Sequence, residues 1–237
     1  MLNTHGNKIT WLGHATFTLT TPDGKVILID PWTIGNPACP AALKNPPRVD
    51  VMLITHGHTD HIGDAIAIAT HHKPQVIAIV EIAAWLSSKG IEKVVMMNKG
   101  GTVKAGEVEA TMVNAIHSSG IEDGGRMIYG GDPAGFVVKL PGGFSVYHAG
   151  DTCVFGEMKL IGELYKPDLA MLPIGDHYTM GPREAAYAIR LLGVKHVIPM
   201  HYATFPMLTG TPEALREASR DIAGLEIHAI KPGESIG

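Results

Sequence analysis

The apolar run Val51 to Ile54 ends directly in Thr55-His56-Gly57-His58-Thr59-Asp60-His61. Four metal-capable side chains within six residues call for a fold in which a buried strand stops at a polar edge and turns into a helix there. His56 and His58, alternate residues of a short extended turn, can converge on one cation, while Asp60 and His61, farther round the bend, can point at a second. The run holds too few ligands to complete two sites. His117, Asp151 and His201 each follow an apolar, strand-like run, at intervals of 56, 34 and 50 positions counted onward from His61. Loops distant in sequence must therefore gather at one edge of a sheet assembly.

Composition narrows the setting. The chain has 13 histidines, and histidine is the commonest transition-metal ligand. At 237 residues, with 45% hydrophobic and 18% charged residues, it reads as an ordinary compact globule. No repeat, low-complexity tract or polar linker interrupts it, so residues 1–237 are expected to form a single domain. The net charge of −4 and the scattered 19 Lys and Arg argue against a nucleic-acid partner and leave a small-molecule substrate as the expected one. The opening lacks the layout of a secretory signal, and no apolar stretch approaches the roughly 20 residues of a membrane span, so a cytoplasmic protein without membrane contact is expected. Cys39 and Cys153 are then free thiols, Cys153 reading as a small core residue. The sequence leaves the oligomeric state open, a homo-oligomer included.

Short strands are expected at Lys8 to Leu12, Thr16 to Thr21, Lys25 to Asp30 and Asp50 to Thr55. An Asp-capped helix follows over Asp64 to His72, then a buried strand Gln75 to Val80 and a short helix Ile82 to Ser88. Strands return between Val94 and Ile116 and in the hairpin Phe136 to Leu140 with Phe144 to His148. Helices Phe155 to Tyr165, Pro182 to Leu192 and Pro212 to Ile222 alternate with strands Leu169 to Pro173, His196 to Pro199 and Glu226 to Ile230, and Thr211 provides a cap. Two strand groups with interspersed helices fit an α/β (α+β) sandwich of two sheets covered by helices on the outer faces.

These motifs resemble the metallo-β-lactamase superfamily, whose five motifs map onto Asp30, His56 to His61, His117, Asp151 and His201. The stretches Trp11-Leu12-Gly13-His14-Ala15, Ile29-Asp30-Pro31-Trp32, Tyr129 to Phe136 and Gly175-Asp176-His177-Tyr178-Thr179-Met180-Gly181-Pro182 resemble, within it, a family of bacterial and archaeal predicted metal-dependent hydrolases of the UPF type, related to the ascorbate-6-phosphate lactonases. The resemblance covers nearly the whole chain and implies a four-layer αββα sandwich of two mixed sheets. It implies that His56, His58 and His117 bind one divalent ion, that Asp60, His61 and His201 bind another, and that Asp151 bridges them. Asp30 would be a buried carboxylate orienting the ligand loop. Zinc is the default for such ligands, with manganese or iron also suited. Many zinc β-lactamases carry cysteine at the bridging position; Asp151 points away from β-lactams.

The chemistry so implied is hydrolysis of an ester, lactone or phosphoester by a metal-bridging hydroxide, with Asp60 relaying a proton. His177, supported by Asp176 in a polar loop, is the expected leaving-group acid, and His14 the second candidate. A nuclease or phosphodiesterase of the same superfamily and a non-catalytic metal-binding or sensing protein are the alternatives. His5, His71, His72, His196 and His228 read as surface or strand-edge residues, and His148 as equally structural or supporting. Ser118 and Ser119 read as loop hydrogen-bonding groups. Specificity is expected from the loops 32–48, 121–128 and 204–209.

Overall fold

The computed structural model describes residues 2–237 and builds two seven-stranded mixed sheets. In the first, β1 (Lys8–Gly13), β2 (Thr16–Thr20) and β3 (Val26–Ile29) form an antiparallel meander. It continues into parallel β4 (Val51–Leu53), β5 (Gln75–Ile79) and β6 (Val94–Met97) through helices α1 (Thr59–Ile62), α2 (Ala65–His72) and α3 (Val80–Ser88). The second sheet follows the same plan. It opens with β7 (Thr102–Ala105) and β8 (Val108–Asn114), and the chain then leaves it for a separate hairpin of β9 (Gly120–Asp123) and β10 (Arg126–Tyr129). It returns in β11 (Ala134–Lys139) and β12 (Ser145–His148), still antiparallel. Parallel β13 (Leu169–Pro173), β14 (His196–Met200) and β15 (Glu226–Ile227) follow, linked by α4 (Met158–Tyr165), α5 (Pro182–Leu192) and α6 (Pro212–Ala218). Finally β16 (Ser235–Ile236) crosses back and pairs with β1.

Parallel neighbours require crossovers, and the crossover helices cover the sheets' outer faces. The two-residue period of the strands sorts the core accordingly. Val138 and Val146, paired across β11 and β12, join the main core with Ile9, Phe17 and Ile29 of the first sheet, whereas their neighbours Val137 and Tyr147 pack with Met158, Ile189 and Leu215 of α4, α5 and α6. The result is the expected four-layer αββα arrangement. Gly162 lets α4 lie directly on the end of α5, where any Cβ would collide with the Leu192 carbonyl.

Several expected details differ. Asp64 precedes α2 without capping it, because its carboxylate accepts instead from the backbone N–H groups of Thr33 and Ile34, both at 2.7 Å, and so pins the loop after β3. Thr211 does cap α6, accepting from Ala214 N–H at 3.2 Å. Strand β15 stops at Ile227 because Ala229 and Ile230 bond back to Ile227 and His228 in a turn. The hairpin β9 and β10 replaces an expected loop. Cys153 is exposed, not a core thiol, since it lies on the loop after β12 rather than in the strand; Cys39 is the buried one.

Candidate metal centre

Every candidate ligand sits just past a strand's C-terminal end. Asp30 follows β3, His56 to His61 follow β4, His117 follows β8, Asp151 follows β12 and His201 follows β14. The ligand loop is held from below by Asp30, which is fully buried. Its carboxylate accepts from the Thr55 backbone N–H (2.9 Å), the Thr55 hydroxyl (2.8 Å) and His61 Nδ1 (2.7 Å). That fixes the His61 ring with Nε2 as its free ligand atom. On the opposite wall, Gly150 (φ 63°) has no room for a side chain, because a Cβ would stand 2.6 Å from the Ala134 carbonyl; the tight turn delivers Asp151 to the centre.

Two groups of donor atoms result. His56, His58, His117 and Asp151 form one, and His14, Asp60, His61 and His201 the other, with the donor atoms of each group within 4.8 Å of one another. Asp151 Oδ2 lies between them, 3.0 Å from His201 Nε2, 3.3 Å from His61 Nε2, 3.6 Å from His117 Nε2 and 3.8 Å from His56 Nε2. Asp60 Oδ2 lies 2.9 Å from His14 Nε2 and 3.9 Å from His201 Nε2. Asp151 Oδ1 is buried without a hydrogen-bond partner, and His61 Nε2 and His201 Nε2, buried beside Asp151 Oδ2, meet it without hydrogen-bond geometry. Buried polar atoms are rarely left so, and imidazole with carboxylate is the donor set that zinc, manganese and iron accept. The residues present fit divalent cations.

Electrostatics within the centre are strongly opposed. Burial holds His56 well below its ordinary pKa, and burial likewise lowers His58 and His117, so all three present the neutral imidazole that ligates. Burial alone would raise Asp151, but His201 and His61 outweigh it and keep the carboxylate ionised. His61 is pushed down by burial yet pulled well above its usual value by Asp151, Asp30 and Asp60. Such a concentration of opposed, buried groups is characteristic of functional sites.

The remaining candidates separate sharply. His14 is fully buried; its Nδ1 meets Thr204 Oγ1 at 3.0 Å and its ring lies 3.9 Å from that of His201. Burial first, then His201, lowers it to about 4. His177 is exposed: its ring packs on Tyr178, and its backbone N–H, not its imidazole, bonds Asp176 Oδ1. The structure therefore brings together His56, His58, Asp60, His61, His117, Asp151 and His201, adds His14, and leaves His177 on the rim. His148 is buried behind the site, with Nε2 2.8 Å from the Ala15 carbonyl. Ser119 ties the Gly57 N–H to the Gly130 carbonyl, a loop role, while Ser118 Oγ lies 3.2 Å from His58 Nε2.

Above the ligands opens a cleft of about 460 Å³ walled by Tyr178, Phe205 and Met207. Its floor carries His58, Asp60, His117, Asp151 and His201, and no Lys or Arg lines it among the described residues. Phe205 and Met207 belong to a loop the sequence marked for specificity; Tyr178 carried no signal beyond its place in the Gly-Asp-His-Tyr stretch. His14, Asp30 and His201 all take left-handed φ values of 55°, 51° and 55°. Each such conformation costs about 1 kcal/mol or more in a non-glycine residue and is retained where the surroundings over-determine it.

A sequence model described as the β-lactamase superfamily domain matches residues 25–202. A UPF0173 metal-dependent hydrolase of Koribacter versatilis is 55% identical, the match spanning 99% of this chain and 99% of its own. Another from Rubrobacter xylanophilus is 56% identical over 98% of this chain and 97% of its own. Among solved structures, Igni18, described as a novel metallo hydrolase from the hyperthermophilic archaeon Ignicoccus hospitalis, aligns with a TM-score of 0.86 at 37% identity, covering 97% of both chains.

Proposed function

Because the chain belongs to the β-lactamase superfamily and, within it, to the UPF0173 metal-dependent hydrolases, we propose that it hydrolyses a small, uncharged ester or lactone at a centre for two divalent ions. The observation that carries this reading is the position of Asp151 Oδ2, within 4 Å of nitrogens from four histidines that arrive on three separate segments, after β4, β8 and β14. His56, His58 and His117 would hold one ion, Asp60, His61 and His201 the other, and Asp151 both. Zinc suits the histidine-rich set best, with manganese or iron accepting the same ligands. When bound, such ions lower the pKa of water to roughly 7 and polarise the scissile oxygen.

The chain's own residues supply the rest. Asp60 stands in the cleft floor with His14 Nε2 behind its Oδ2, so its carboxylate is held in one orientation and can pass a proton from the attacking water to the leaving group. His14 is too deeply buried to touch a substrate; it positions Asp60. Phe205, Met207 and Tyr178 offer apolar contact to the substrate's remote part. A phosphodiester, and above all a nucleic acid, would call for Arg or Lys along the cleft, and none lines it among the described residues. A cleft of this size over the ligands favours an enzyme over a metal sensor. No helix of the described residues is long and apolar enough to cross a membrane.

The test is a comparison of p-nitrophenyl butyrate, simple lactones and bis-p-nitrophenyl phosphate with protein stripped of metal and reloaded with zinc, manganese or iron. The ester or lactone should exceed the phosphodiester at least tenfold in kcat/KM, and a chelator should abolish turnover. Preference for the phosphodiester would replace the substrate class. No turnover of any substrate with two ions bound would favour a sensing role.

A further inference from the structure

A second group of ligand-type side chains lies at the other end of β14. His196 opens that strand, five residues before His201, and faces Glu226 in the parallel register with β15. His228 is two residues beyond Glu226, and its backbone N–H donates to the Val197 carbonyl at 2.8 Å. The two-residue period therefore puts His196, Glu226 and His228 on one face, while Val197 and Ile227 turn into the core beneath α5 and α6.

The three donor atoms converge. His196 Nδ1 is 3.2 Å from His228 Nε2 and 3.7 Å from Glu226 Oε2, and all lie within 4.8 Å of one another. The His196–His228 contact can be made by either tautomer, and the Glu226 carboxylate stands beside it at a distance longer than a hydrogen bond. One divalent cation could take a donor atom from each of the three. Ligands about 2.0 to 2.1 Å from a tetrahedral zinc stand roughly 3.3 to 3.5 Å apart, and the two separations at His196 Nδ1 lie within a few tenths of an ångström of that spacing.

We propose that His196, Glu226 and His228 form a zinc site, distinct from the hydrolytic centre, with water taking the fourth position. Its place in the chain gives it a role. Immediately after His228 the turn at Ala229 and Ile230 carries the chain off the second sheet toward β16 and the first. Zinc there clamps the short edge strand β15 to β14 where the crossover begins.

The experiment starts from protein whose hydrolytic centre is already loaded and equilibrates it with micromolar free zinc before metal counting by mass spectrometry. Wild type should retain one more zinc per chain than His228→Ala or Glu226→Gln. With free zinc near one hundred times the dissociation constant, its Tm should rise roughly 5 to 10 °C more than theirs. His228→Gln, which keeps a hydrogen-bonding group against His196, carries the comparison should the alanine variant misfold. Turnover should stay within twofold in all of them, so the result stands apart from that of the catalytic reading. Equal zinc content in wild type and variants would overturn the proposal and leave a hydrogen-bonded histidine pair.

Discussion

Asp30 Oδ2 lies 2.7 Å from His61 Nδ1 while the same carboxylate group holds both the N–H and the hydroxyl of Thr55, so one buried acid fixes where the ligand loop begins and which His61 nitrogen faces the centre. Asp30→Asn keeps the size but loses the charge-assisted contact. Metal affinity, measured by competition with a chelator, should fall about 10- to 100-fold. Urea unfolding of the metal-free protein should show a loss of about 3 kcal/mol or more, because the His61 pairing is buried on both sides. Unchanged affinity would remove Asp30 from the site's support.

His14 and His177 predict opposite results. His14→Asn tolerates the left-handed backbone while deleting the ring behind Asp60. It should lower kcat about tenfold or more with little change in KM, and reduce occupancy of one ion. His177→Ala, on the exposed rim, should leave turnover within about threefold. A large loss for His177→Ala with full metal content would return it to the role of leaving-group acid.

His148 makes stability depend on pH. Its Nε2 meets the Ala15 carbonyl and its Nδ1 accepts from the Gly150 N–H at 3.1 Å, an arrangement only the neutral ring allows. Burial lowers its pKa in the folded chain below the unfolded value of about 6.5. The unfolded chain therefore takes up the proton first as pH falls. Stability is fully present above about 6.5 and is lost progressively below it. His148→Gln preserves both hydrogen bonds without titrating. Between pH 7.5 and 5.5, metal-free wild type should lose more stability to urea than this variant; equal losses would exclude His148.

The two thiols should react very differently. Burial pushes Cys39 up to about 11, whereas Cys153 is exposed. Native protein at pH 8 should release about one equivalent of chromophore from a disulfide reagent, the second appearing only in denaturant. Cys153→Ser should abolish the fast phase.

The Tyr147 hydroxyl is buried without a hydrogen-bond partner, and burial drives its pKa upward. Tyr147→Phe keeps the packing against α4 and α5 and removes the stranded group. Thermal or urea unfolding should show a gain of about 1 kcal/mol, or no loss. A clear loss would reveal a partner for the hydroxyl.

The ligand run and its partners were legible because each follows an apolar strand, which is where a sheet edge exposes side chains to a cleft. Asp64 shows the limit of local reading. Its position suggests a cap, but three N–H groups on the loop after β3, some thirty residues earlier, compete for it, and that competition is tertiary. His14 was ambiguous for the same reason, since only folding reveals that its ring lies behind Asp60 rather than in the cleft. Nothing local foretold β16, two residues whose pairing with β1 depends on the whole chain returning to its start.

The donor atoms come from both halves of the molecule, with His56 to His61 contributed by the first sheet and His117, Asp151 and His201 by the second. During synthesis, a chain emerging from the ribosome can therefore display its histidine run long before it can grip an ion with full strength. Metal capture becomes a late checkpoint that waits for His201, and a truncated or half-folded product would compete poorly for scarce ions.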